Sequence, residues 1–377
     1  MRIALFGPTY PFRGGIAHYT TMLSKALGAR GHEVCVVSFK RLYPGWLFPG
    51  ESDKDPSRVP FLADNVKYWV DSLDPITWIL TCFRLSRYEP DVIVLPWWTS
   101  FLSPAWFVIA SLSRLLLRVP LVFICHNVLP HETRWWDRWA ARTVLRKGTH
   151  FIVQSDSEQA KLRHLIPPGN SVVVPLPVFD MFSHEPLSQE GARRAISVPD
   201  GIPVLLFFGI VREYKGLMDL LDAMPEIRRQ LGQVLLIIAG EFWEPRELYD
   251  HRIEELGIGD CVRIDDRYIP NEEVPNYFRA ADLVVAPHRQ ATGSAQVNIR
   301  FVVDLSLVTT LASHFRGLDL PSSLMIVAPN NSCALAERVV SFLALPTAGN
   351  GCDEMKTLQA IFSWQQLVVA LEGFVQT

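Results

Sequence analysis

Short apolar runs recur along the chain, each followed by a stretch in which apolar positions return every three to four residues. In the first half the runs fall at 2–6, 33–39, 92–96, 121–125 and 151–154, bounded by Gly, Pro or polar residues. Runs this short and this continuous predict strands buried on both faces. Stretches 16–29, 103–117 and 134–145 carry the helical period between them. Strands alternating with helices predict a mostly parallel sheet joined by right-handed crossovers. Residues 41–60 are rich in Pro, Gly and charge and predict a long loop, of a length usually tied to function or motion.

The pattern then restarts. Pro175-Leu176-Pro177 reads as a linker, because prolines stiffen the chain and resist regular structure. Beyond it, runs at 204–208, 235–239, 262–264 and 283–286 predict strands, and 217–230, 246–256 and 271–280 predict helices. A further strand is expected at 307–310 and a closing helix at 364–374. The expected fold class is therefore α/β, with two Rossmann-like domains. The expected boundaries are 1–175, 176–355 and a terminal segment 356–377. Ligands of such sheets bind beyond the carboxyl ends of the strands, which predicts a cleft where the two halves face each other.

Composition narrows the class. A chain of 377 residues exceeds one ordinary core, and 49% hydrophobic with 20% charged residues excludes a disordered chain. A net charge of −3 gives no support to nucleic-acid binding driven by bulk charge. Cys35, Cys82, Cys125, Cys261, Cys333 and Cys352 are scattered without metal spacing and read as reduced, mostly buried thiols. The first strand run follows Met1 directly, leaving no room for a signal peptide, and the longest apolar stretch, 104–117, is interrupted by Arg114. The expectation is a cytoplasmic chain, with contact to a membrane surface left open.

Four loops carry candidate chemistry. Gly14 and Gly15 stand between the first strand and first helix, where backbone amides can approach a polar ligand; a plain tight turn is the alternative. His126-Asn127 ends the run 121–125, placed to hydrogen-bond hydroxyls, unless the histidine is satisfied by backbone. His131 and Glu132 lack the helical spacing of a zinc protease. After 204–208 comes Gly209-Ile210-Val211-Arg212-Glu213-Tyr214-Lys215-Gly216, in which Arg212 and Lys215 can clamp a diphosphate and stabilise the charge that grows on it. Thr292, Gly293, Ser294 and Ala295 offer hydroxyls and free amides at a helix start, beyond what simple capping requires. Asp53-Lys54-Asp55 matches a metal-nucleotide pattern but lies in the long loop, so no metal is expected.

These residues together resemble the retaining GT-B fold glycosyltransferases of family 4, also called glycosyl transferases group 1, over nearly the whole chain. "GGIAHYT" is similar to the family's acceptor-side loop, "FICHN" to its histidine loop, and "LLFFGIVREYKGLMDLLDAM" to its diphosphate segment. "ADLVVAP" and "FSWQQL" resemble the segments that precede the donor motif and open a closing helix crossing back to the N-terminal domain. Two positions depart from the pattern. Thr292 and Arg300 occupy the positions of the family's glutamate pair, giving a variant Thr-Gly-Ser form, and Ile210 stands where the family's arginine follows glycine, two places before Arg212.

The resemblance implies transfer of a hexosyl-like sugar from a nucleotide diphosphate to a hydroxyl with retention, metal-independent and without a cofactor. It implies a catalytic set of His126, Arg212 and Lys215, with Gly209, Thr292, Gly293, Ser294 and Ala295 at the diphosphate and Gly14–Gly15 shaping the acceptor side. Glu241 is expected either to bind donor or to sit on the surface. The implied partners are a nucleotide-sugar donor and a glycan or lipid-linked acceptor of envelope or polysaccharide synthesis. Tryptophans mixed with cations over 134–147 predict either peripheral membrane contact or an amphipathic helix that packs its tryptophans inward. The rival class is a non-catalytic GT-B protein that binds a nucleotide sugar or stabilises another transferase, motivated by the absent glutamates.

Overall fold

The structure is a computed structural model that describes residues 1–130, 134–167, 169–182, 187–289, 305–310, 324–344 and 360–376. The chain divides into two compact units, the first comprising Met1–Asp55, Pro60–Pro177 and Phe362–Thr377, the second Pro56–Val59 and Val178–Ile361. The sequence pattern carries no sign that residues 56–59 belong to the second unit; there the Asn271 amide donates to Ser57 Oγ at 2.8 Å and the Arg58 amide to Glu272 at 3.0 Å.

The first unit runs β1 (Arg2–Phe6), α1 (Gly15–Ala29), β2 (Glu33–Arg41), β3 (Val66–Asp71), α2 (Pro75–Tyr88), β4 (Val92–Trp97) and α3 (Ser103–Leu116). It continues through β5 (Leu121–Cys125), α4 (Trp135–Leu145), β6 (His150–Val153), α5 (Asp156–Leu165) and β7 (Asn170–Val173). The strands form a parallel sheet in the order β3-β2-β1-β4-β5-β6-β7, with Ile3 in register with Val34 on one side and Val92 on the other. The central strands β1, β4 and β5 are almost wholly buried, as a parallel sheet covered on both faces requires. Trp106 of α3 fills the core beneath the sheet, meeting Phe6 edge-on at 5.8 Å.

The second unit repeats the plan with α6 (Gln189–Ala195), β8 (Val204–Phe208), α7 (Leu217–Leu231), β9 (Leu235–Ala239), α8 (Glu247–Glu255) and β10 (Val262–Asp265). Then follow α9 (Val274–Ala280), β11 (Leu283–Ala286), β12 (Leu307–Thr309), β13 (Leu324–Ile326) and α10 (Ser332–Leu343). Its parallel sheet has the order β10-β9-β8-β11-β12-β13. Finally α11 (Trp364–Gln376) returns to the first unit and packs on α1, where Glu372 takes His32 at 2.9 Å and Arg30 at 3.2 Å.

The sequence pattern does not give β3, α2, α5, β7, α6, β13 or α10, and for two of these the physical reason is plain. Helix α2 buries Thr77, Trp78, Thr81, Cys82 and Leu85 while exposing Ile76, Ile79, Leu80 and Phe83, so both faces are apolar and no helical period shows. What starts it is local: Asp74 caps the Ile76 amide at 3.0 Å and Pro75 takes the first turn. Strand β3 is a partly exposed edge strand, so it lacks the solid apolar run of its neighbours. The expected helix over 271–280 begins only at Val274. Of the cysteines, Cys35, Cys82, Cys125 and Cys261 are buried thiols and Cys333 is exposed; Cys352 lies outside the described residues.

At the carboxyl ends of β8 and β9 the backbones of Gly209 and Gly240 touch: a Cβ on Gly240 would stand 2.2 Å from the Gly209 oxygen. Gly240→Ala is therefore expected to cost about 3 kcal/mol or more in urea unfolding of the full chain. Gly257→Ala, at φ +62 but with open space around the new methyl, should cost only about 1 kcal/mol. Equal losses at the two positions would show that the backbone contact is not what demands glycine.

Candidate active site

In the first unit the site is built where β1 and β5 end. Gly14 adopts φ +98, which a side chain would strain, and a Cβ on either Gly14 or Gly15 would meet nothing within 4 Å. The pair thus leaves open space at the start of α1, rather than making a close-packed turn. The long loop is tied beside it. Phe12 bridges Lys54, the Arg13 amide donates to the Asp53 carbonyl at 3.1 Å, and the Lys54 ammonium sits 3.6 Å above the Phe12 ring. A cavity of about 350 Å³ lies within this loop, lined among others by Lys40, Arg41, Tyr43, Phe48, Asp53 and Lys54.

His126 is held by backbone and its neighbours. Its amide donates to the Trp97 carbonyl at 2.9 Å, the Trp97 indole donates to the Val128 carbonyl at 3.1 Å, and the Val128 amide donates to the buried Glu158 carboxylate. The imidazole is buried, with Tyr19 edge-on at 4.6 Å and Gln154 Nε2 2.9 Å from its Nδ1. Burial pushes the ring down to about 3, so it is neutral. With the Gln154 amide donating to Nδ1, the proton resides on Nε2, which has no hydrogen-bond partner among the described residues. Backbone therefore does not satisfy the ring; an unmet buried donor costs about 1–3 kcal/mol and is ready for a ligand oxygen.

Sequence reasoning missed Gln154 and Glu158. Glu158 carries a local signal, since Ser155-Asp156-Ser157-Glu158 reads as a capping box, and Ser155 Oγ does accept the Glu158 amide at 3.3 Å. The glutamate side chain instead crosses to Val128 and to Lys161, 2.6 Å away. Gln154, the residue after β6, bears no such mark.

In the second unit β8 and β9 are each followed by a glycine, and the two chains stay paired just beyond, with the Val211 amide donating to the Glu241 carbonyl at 2.9 Å. Val211 and Phe242 form a parallel bridge, which carries Arg212 alongside Trp243, its guanidinium 5.0 Å from the indole ring. The Trp243 indole donates to Glu241 at 2.8 Å. Glu241 is buried, which removes the surface reading, and it supports the platform under Arg212. Residues Glu213–Lys215 make one 3-10 turn, and Gly216 at φ +70 opens α7. A Cβ there would lie 1.9 Å from the Pro287 oxygen, so only glycine lets the loop after β11 close on this turn.

Neither Arg212 nor Lys215 has a carboxylate partner among the described residues. Nearby acids are engaged elsewhere: Asp219 holds Arg289 at 2.7 Å, and Glu244 accepts the Glu213 amide at 2.5 Å and the Tyr249 hydroxyl at 2.6 Å. Lys215 is half-buried; crowding by protein atoms and then the Arg212 charge draw it down to about 8. Gly209, Arg212, Lys215 and Glu241 thus come together beyond the carboxyl ends of the interior strands β8 and β9. Thr292, Gly293, Ser294, Ala295 and Arg300 lie outside the described residues, as do His131 and Glu132. Among the described residues no three His, Cys, Asp or Glu side chains are grouped to hold a metal.

Two units, each a parallel sheet with interleaved helices, are the architecture of the GT-B class of glycosyltransferases. Residues 14–177 match the family described as "Glycosyl transferase 4-like domain" and residues 202–344 match "Glycosyl transferases group 1". The chain belongs to the group 1 glycosyltransferases. It is 26% identical over 293 residues to a GDP-mannose-dependent alpha-(1-6)-phosphatidylinositol monomannoside mannosyltransferase of Mycolicibacterium smegmatis, covering 74% of this chain and 70% of that one. A D-inositol 3-phosphate glycosyltransferase of Corynebacterium glutamicum is 27% identical over 228 residues, 55% of this chain and 53% of its own length. Among solved structures, sucrose-phosphate synthase from Thermosynechococcus elongatus has a TM-score of 0.71 at 18% identity, covering 100% of this chain and 98% of that one. Anabaena HepE in complex with UDP has a TM-score of 0.71 at 18% identity, covering 99% and 100%.

His126 gives a pH signature. Its folded pKa lies below the ordinary value of about 6.5, so the unfolded chain takes up a proton that the native chain refuses. Stability from this group is whole above about pH 6.5 and declines as pH falls toward about 3. Between pH 7 and pH 5 the loss should be about 2 kcal/mol in urea unfolding, and His126→Gln should lack this increment. An unchanged acid limb in the variant would show that the ring titrates normally.

Proposed function

We propose that the chain transfers a sugar from a nucleotide diphosphate donor to a hydroxyl acceptor with retention of anomeric configuration, without a metal. The observation that carries this reading is the pair of cations, Arg212 and Lys215, without carboxylate partners at a glycine-opened strand end. Two fixed positive charges suit a diphosphate and gain most as the leaving group's charge grows. In the proposed reaction the bond from the anomeric carbon to the diphosphate oxygen breaks with that support. The acceptor hydroxyl bonds to the same face and yields its proton to a donor phosphate oxygen. The His126 Nε2–H donates to a sugar hydroxyl; a neutral donor orients the sugar without competing for the diphosphate. The Gly14–Gly15 opening and the cavity beside it serve the acceptor.

The relatives support the substrate classes. The Mycolicibacterium enzyme is GDP-mannose-dependent and acts on a phosphatidylinositol mannoside, and HepE was solved with UDP. A lipid-linked or envelope glycan acceptor is the proposed counterpart here. Thr292 through Ala295 are proposed to complete the diphosphate site with hydroxyls and amides.

The reading is tested with UDP-, GDP- and ADP-sugars, following binding by calorimetry and nucleotide release with glycolipid acceptors. One donor should bind and turn over, and Lys215→Ala should lower kcat/KM about 100-fold. Stable binding without release across the acceptors would instead mark a binding protein, and release unaffected by Lys215→Ala would remove the clamp.

The pKa of Lys215 adds a direction. Its charge is held below about 8 and lost above it, so donor affinity should weaken from pH 7 to pH 9 in the wild type and stay flat in Lys215→Ala.

A further inference from the structure

Helices α2, α3 and α4 lie side by side on one face of the first sheet, α2 against α3 and α3 against α4. Their outer surface is unusual for a protein exterior. On α2, Ile76, Ile79, Leu80 and Phe83 form an i, i+3, i+4, i+7 stripe that points outward, with Ile76 66% and Phe83 55% exposed. On α3, Leu115 is 71% exposed, and on α4 Trp135 and Trp139 are 82% and 70% exposed. The tryptophans of α4 therefore do not pack inward, contrary to one of the two sequence readings; the helix buries Ala140, Ala141, Val144 and Leu145 instead. Large apolar side chains exposed on three helices that pack side by side mark an interaction surface.

The charge on this face has one sign. Arg84, Arg87, Arg114, Arg138 and Arg142 are exposed, and among the described residues none of them forms an ion pair. The single carboxylate on the three helices, Asp137, is buried and occupied, accepting from Ser100 and from the Arg134 amide at 2.6 Å. Each helix begins where a strand ends, so Ile76, Trp135 and Trp139 stand at the sheet edge that carries His126.

We propose that the outer face of α2, α3 and α4 docks the chain on an anionic lipid surface. Tryptophan rings favour the level of the headgroups, aliphatic side chains enter the acyl boundary, and arginines reach lipid phosphates beside them. A second copy of the chain is the poorer occupant, because a two-fold contact would set unpaired arginines against their own kind. The docking does not depend on the proposed sugar transfer, and its readout contains no turnover.

The test is flotation of the full chain with vesicles of phosphatidylcholine and phosphatidylglycerol in equal parts, against pure phosphatidylcholine. The chain is expected to float with the anionic vesicles, with a blue shift of tryptophan emission, and to be released as salt rises from about 0.1 M to about 0.5 M. Ile79→Ser with Phe83→Ser, Trp135→Ser with Trp139→Ser, and Arg138→Glu with Arg142→Glu should each lower partitioning about tenfold or more. Unfolding midpoints should match the wild type, since these side chains are exposed; a pair that misfolds is replaced by its single substitutions. Absence of binding to anionic vesicles, equal binding to both vesicle types, or a concentration-dependent dimer in light scattering that Ile79→Ser with Phe83→Ser disperses would each overturn the proposal.

Discussion

The chemistry of the second unit depends on backbone meeting backbone without a side chain between. Gly240 lies against the Gly209 carbonyl and Gly216 against that of Pro287, so the loops after β8, β9 and β11 are pressed into one junction. That closeness sets Trp243 beneath Arg212 and lets Arg289 reach Asp219. The acids nearest the junction are thereby claimed by indole, guanidinium, amide and hydroxyl donors. Two cations are left over because the surroundings have already been matched among themselves. Keeping Lys215 charged is opposed by burial and by the neighbouring Arg212 charge, which is why it sits closer to neutrality than a surface lysine.

The first unit reaches its end by the opposite electrostatic route. His126 is stripped of charge by burial, and the Gln154 amide settles which nitrogen bears the proton. Tyr19, whose phenol is likewise pushed upward by burial, walls the ring on one side. One half of the protein supplies a neutral donor with fixed direction and the other supplies positive charge.

The strands were legible because a sheet covered on both faces forces unbroken apolar runs; 2–6, 121–125, 204–208 and 283–286 fall on β1, β5, β8 and β11 to the residue. Helix α2 was hidden by the same outward apolar stripe that gives its surface meaning. Of the site, Arg212 and Lys215 stood out because glycines flank them after a strand. Gln154, Glu158 and Trp243 did not, since each acts through a residue remote in sequence or through a loop's exact return. Glu158 shows the limit well: a sequence rule assigns its carboxylate to its own helix cap, and tertiary packing sends it to Val128.

Helix α11 follows the second unit in the chain yet belongs to the first. On a translating ribosome the first unit therefore waits, with the α1 surface around Tyr19 uncovered, until everything after it has been made. Trp364 then meets Tyr19 at 5.1 Å, and Tyr19 is the residue that meets His126. The histidine's surroundings are thus completed by a helix that emerges only after the second unit. A nascent or prematurely terminated chain has a deficient first site even though every residue of that site's sheet has been synthesised.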